Sequence, residues 1–184
     1  MVNIVILALT ALVISTLINI DSTLAGEKIN VCVEADKQGV RRRSPTNKLD
    51  WMCMRSKADQ GDAFHQFYVG LSLISGKSSE GKKISEAISL LTAAAKKGQK
   101  NAIPVLARLY YAGDEGLPVN IELAYQWASL SEYPIKEDMI IRGSHAKEDW
   151  EKLDKAPTIM EKIELIISPE QAEELKLNAS VLLK

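Results

Sequence analysis

The sequence predicts an all-α chain, folded as a short solenoid of antiparallel helical hairpins, on two observations. First, residues 58–133 contain one pattern twice. At an offset of 37 residues Ala58 falls on Ala95, Gly61 on Gly98, Gly76 on Gly113, Ile84 on Ile121 and Ala87 on Ala124, with no gap. A period of this size marks stacked supersecondary units, none of which buries its apolar face alone. Second, apolar and small residues inside each copy recur at helical spacing, and glycines stand where such helices must stop.

Each copy reads as two helices. The first helices are expected over 62–74 and 101–111, closed by Gly76 and Gly113 as left-handed caps. The second follow near 82–97 and 120–132, with Ile84, Ala87, Leu90 and Leu91 on one face. In the first copy Lys96 and Lys97 suit the negative helix end and Gly98 the cap. Gly70 and its counterpart Ala107 sit mid-helix, where a bulky side chain would hold a neighbouring helix away.

The residues Ala58 to Asp62, Val69, Gly70, Gly76 and Ala87 in the first copy resemble the Sel1-like repeat family, a branch of the tetratricopeptide-type α-solenoids. The second copy is the closer of the two to the family pattern. It carries Ala95 to Gly98, Ala102, Leu106, Ala107, Tyr110, Gly113, the turn from Gly116 to Asn120, and Ala124 to Trp127. The first copy departs from the pattern at His65, where the family has alanine, and at Leu73, where it has tyrosine. The resemblance implies an α-solenoid that works as a binding scaffold.

Composition allows one modest domain with a core: 184 residues, 46 % of them hydrophobic, with a formal net charge of −1. Without a basic excess, no nucleic-acid partner is expected. Ile4 to Ile20 is an uncharged apolar run, followed by a polar break and by Thr23 and Ala25 as the small residues of a cleavage site. Residues 1–25 therefore read as a signal peptide, although no Lys or Arg precedes the run. The alternative is an uncleaved anchor, since the run is at the short limit for spanning a bilayer. Leu24, Ala25 and Gly26 are followed by Glu27 rather than the cysteine of a lipoprotein junction, which argues against a lipid anchor. Because the resembling family is common in bacteria, export implies the periplasm, with an inner-membrane anchor facing it as the alternative. Charge is uneven along the chain: 27–60 has eight basic against five acidic residues, and 134–184 has eight against eleven. Such a dipole either orients a partner or reflects ordinary solvated faces.

Residues 26–57 form an arm with both cysteines, Cys32 and Cys53. An even count in an exported chain predicts a disulfide, worth about 3 kcal/mol in the chain-entropy model. Cys53 precedes Gly61 by the spacing at which Leu90 precedes Gly98 and Trp127 precedes Ile135. Residues 45–57 thus read as the second helix of a truncated repeat, with Ser44 as its cap and Pro45 in its first turn. Between the cysteines lie Arg41, Arg42 and Arg43, which either bind an acidic group of a partner or form a solvated turn.

No catalytic constellation emerges, and no enzyme activity, metal or cofactor is expected. His65 and His145 are far apart and neither has ligand spacing; there is no Walker loop, GxGxxG or nucleophile elbow. After Pro134 the repeat register fails. Residues 134–184 read as a diverged repeat plus capping helices: one over 136–153, a short one over 159–167, and one begun by Ser168 and Pro169. Trp51, Trp127 and Trp150 are expected in the core. The expected function is a scaffold that binds a protein partner in the cell envelope through a concave face. His65, Tyr68, Arg108 and Tyr111 are the candidate contacts on the first helices, with Arg41–Arg43 beside them. Two other classes remain open. One is a membrane-anchored accessory subunit of a larger envelope complex, motor- or export-associated. The other is a β-lactam-binding or hydrolysing enzyme, whose relatives carry a cysteine pair in each repeat, as this chain does not.

Overall fold

In the computed structural model the described residues are Cys32, 48–113, 116–135 and 157–184. They contain seven α-helices: α1 (Lys48–Asp59), α2 (Ala63–Ser75), α3 (Ile84–Lys96), α4 (Ala102–Ala112), α5 (Ile121–Ser129), α6 (Ile159–Glu164) and α7 (Pro169–Ala179). A 3-10 turn, Ser180–Leu183, follows α7. The chain divides into two units, 1–56 and 57–184. In the first, Cys32 and Cys53 form the expected disulfide with their Cα atoms 4.8 Å apart, and Trp51, Cys53 and Met54 on α1 are buried. The expected cap Ser44 and Pro45, the arginine run and the expected helix over 136–153 with Trp150 lie outside the described residues.

In the second unit α2 and α3 form one antiparallel hairpin and α4 and α5 another, and α3 packs against both α2 and α4. The two copies share their backbone bonding as well as their sequence. Lys83 N–H donates to the Leu73 carbonyl at 3.1 Å, and at the same offset Asn120 N–H donates to Tyr110 at 2.8 Å. Gly61 and Gly98 both close a helix in the left-handed conformation, with φ of 89° and 85°. In each case the glycine N–H and the one after it donate to carbonyls of the last turn: Gly61 to Ala58 and Asp62 to Lys57, then Gly98 to Ala95 and Gln99 to Ala94. This is the Schellman arrangement, which satisfies carbonyls that a helix end otherwise leaves open.

Close helix approach shapes the first hairpin. A Cβ built on Gly70 would stand 2.9 Å from Leu91 Cγ and 3.3 Å from the Ala87 carbonyl. Leu91 and Ala87 are fully buried as a result. Around them the core gathers Phe67, Val105, Leu106, Ala107, Leu109, Tyr125 and Trp127.

The C-terminal helices cover the second hairpin. Thr158 and Glu161 form a reciprocal capping box at the start of α6, and Ser168 caps α7 with Pro169 in its first turn. Both helices pack on α5, α6 also touches α4, and the 3-10 turn reaches back to α3. Tyr125, fully buried on α5, sends its hydroxyl to Glu164 Oε1 at 2.6 Å. Lys176 of α7 stands 3.8 Å from the same carboxylate and over the Tyr125 ring.

Three elements are shorter than the spacing predicts, α3 by running from Ile84 to Lys96 where 82–97 is expected. α6 ends at Glu164, short of the expected 167, and α5 ends at Ser129 instead of reaching 132. For α5 the cause is local. Pro134 brings no N–H and restricts the residue before it, and no glycine stands at the register of Gly61 and Gly98, which Ile135 occupies. The Ser131 hydroxyl instead donates to the Tyr133 carbonyl at 2.8 Å.

Leucine at position 70 or 107 is expected to overpack a helix contact and lower stability by about 1–3 kcal/mol. Urea unfolding measures it; unchanged midpoints for both variants would contradict the close approach. Tyr125→Phe keeps the ring and loses the bond to Glu164, an expected loss of about 0.5–1.5 kcal/mol, measured the same way.

Candidate partner-binding surfaces

The first turn of α2 gathers an aromatic group. Asp62 caps the helix by accepting the His65 backbone N–H at 2.8 Å, and the same oxygen lies 2.6 Å from His65 Nδ1. With the ring tethered there, Phe64 meets His65 edge-on at 5.4 Å and Tyr68, one turn on, at 4.5 Å between centroids. Tyr68 rests in turn on Phe67, a buried core residue, at 5.0 Å. His65 and Tyr68 are half-buried, whereas Phe64 is 45 % exposed. Sequence reading missed Phe64. Its signal was the i, i+4 spacing from Tyr68, which stacks two aromatics on one helix surface.

The charge on Asp62 is favoured by its setting. Burial works against it, but the His65 N–H, the His65 ring and Lys57 outweigh that and hold the carboxyl below its ordinary value.

The two candidates on α4 have different surroundings. Arg108 is half-buried, and Tyr111 lies under Lys162 of α6, whose ammonium is 5.9 Å from the ring centroid. Tyr111 is thus shared with the C-terminal cover, while His65 and Tyr68 come together with Phe64. Arg41, Arg42 and Arg43 lie outside the described residues.

A second concave feature was not foreseen. Where α5 stops short, a cavity of about 460 Å3 opens between the ends of α3 and α5 and the start of α4. Ala95, Ile103, Pro104, Leu130, Ile135 and Leu183 make its walls largely apolar. Lys100 and Glu132, both exposed, are paired at its rim, and Tyr133 beside them is 73 % exposed. The pairing raises the Lys100 pKa through the hydrogen bond and charge of Glu132.

Among the described residues, no group of three His, Cys, Asp or Glu side chains is placed to hold a metal ion. Among them, too, no helix is long and apolar enough to cross a membrane. The disulfide fits an oxidising compartment outside the cytoplasm. No family model, no curated protein and no solved structure matches this chain.

Asp62→Ala removes a helix cap and is expected to cost about 1 kcal/mol at neutral pH. Because the folded carboxyl titrates below the ordinary 3.8, the part of this stability that depends on its charge is fully present above that value. It is lost as pH falls through the folded value. Denaturant titrations of both proteins should therefore differ most at neutral pH and begin to converge only as pH falls below 3.8.

Proposed function

We propose that this chain is an exported member of the Sel1-like repeat family and acts as a non-catalytic scaffold in the periplasm. It holds a protein partner through the surface that begins with the first turn of α2. The observation that carries this reading is Phe64: a large aromatic side chain, 45 % exposed, packed edge-on against His65 and tilted against Tyr68, which rests on the core residue Phe67. Aromatic side chains on rigid elements give contact area at low entropic cost and are enriched at interfaces. The repeated hairpins, the disulfide and the apolar segment at 4–20 agree with an exported solenoid.

The test is affinity purification from native envelopes, comparing the full chain with its Phe64→Ala variant. Because Phe64 packs on two aromatic rings, the variant should lose about 0.5–1.5 kcal/mol, and urea unfolding checks that it remains folded. A partner recovered with the parent and lost or strongly reduced with the variant supports the proposal. Equal recovery with both, or no protein partner with either, contradicts it.

A further inference from the structure

The two repeat junctions share one glycine cap and differ in the side chain that faces it. At the first, the Lys97 ammonium donates to the Gly61 carbonyl at 2.5 Å, and a methyl group on Gly61 would meet Lys97 Nζ at 2.6 Å. At the second, the residue in the register of Gly61 is Gly98, with the same left-handed cap. The residue in the register of Lys97 is Pro134, which has no donor. A methyl group on Gly98 would find no atom within 4 Å, and among the described residues the Gly98 carbonyl accepts no hydrogen bond. Gly98 and Pro134 both line the apolar cavity. The second junction therefore repeats the acceptor of the first without its cation, and the missing side chain opens onto the cavity.

The surroundings favour a positive charge from outside. The C-terminal ends of α3 and α5 meet at the cavity with the N-terminal turn of α4, so two negative helix ends face one positive one. The exposed Tyr133 ring offers a face to a cation. Lys100 occupies only Oε1 of Glu132, so the second carboxylate oxygen stands at the rim as a further acceptor for an incoming cation beside the Gly98 carbonyl. The cavity volume is in the range that holds one or two side chains or a small ligand.

We infer that this cavity takes an apolar side chain of a partner polypeptide whose adjacent lysine or arginine seats on the Gly98 carbonyl, as Lys97 seats on Gly61. The inference rests on the reading of the chain as a protein-binding scaffold and names the chemistry of a second contact, apart from Phe64.

Fluorescence anisotropy with short, labelled, amidated peptides tests it on the full chain. One peptide has a Leu-Lys-Leu core; in two others norleucine or glutamate replaces the lysine. The lysine peptide should bind about tenfold more tightly than the norleucine one, as expected for a cation on a carbonyl, with the glutamate peptide weakest. Pro134→Lys supplies the missing ammonium from within the chain and should weaken the lysine peptide by about tenfold without lowering the melting midpoint. Tyr133→Ala, at an exposed wall residue, should weaken it as well. Three peptides binding alike, no binding by any of them, or binding indifferent to both variants would overturn the inference. None of these outcomes touches the Phe64 test, so failure here is separable from failure of the scaffold reading.

Discussion

The absence of a side chain at Gly70 is the constraint from which the second unit is built. With any larger residue there, Leu91 loses its seat and α3 moves away from α2. α3 is also the wall on which α4 packs, so a shift in the first hairpin passes directly to the second. Ala107, fully buried at the matching position of α4, meets the same demand. The C-terminal cover then depends on α5 being in place, because the buried Tyr125 presents the hydroxyl that Glu164 accepts. Interiors this dense transmit displacement rather than absorb it.

What sequence reading recovers best is local. The left-handed stop at Gly76, the Ser168 and Pro169 start and the periodic faces each depend on residues within a turn or two of one another; Gly113 also ends its helix, but with φ 70° and ψ 175° rather than as the expected αL cap. The duplication adds power, because two weak patterns in register reinforce each other. The hydrogen bonds from Lys83 to Leu73 and from Asn120 to Tyr110 show the copies agreeing below the level of side chains. The disulfide was legible from an even cysteine count read together with the expectation of export.

What was not legible arises between elements or from a departure. The early end of α5 follows from a missing glycine and from Pro134, visible only once Gly61 and Gly98 are seen to share one cap. The cavity at that end is a consequence, and no motif encodes it. The cover of Tyr111 by Lys162 joins residues from distant parts of the chain, so spacing could not reveal that one of the four candidate contacts is partly occupied from within. Phe64 was hidden for the opposite reason. It lies in an apolar run whose period suggested core, and only its 45 % exposure separates it from its buried neighbour Phe67. The repeat supplies rigidity, and the distinctive surfaces lie where the two copies differ.

The repeat itself is the central claim, and its most direct test is to add a unit. Inserting a further copy of residues 62–98 between Gly98 and Gln99 places each new helix against a neighbour of the kind it already meets, with a Schellman glycine at both seams. The account predicts one cooperative urea transition with a higher midpoint and a denaturant slope increased in proportion to the added buried surface. A separate, earlier transition for the inserted segment, or a chain that no longer folds, would show that residues 62–98 are not a stackable unit.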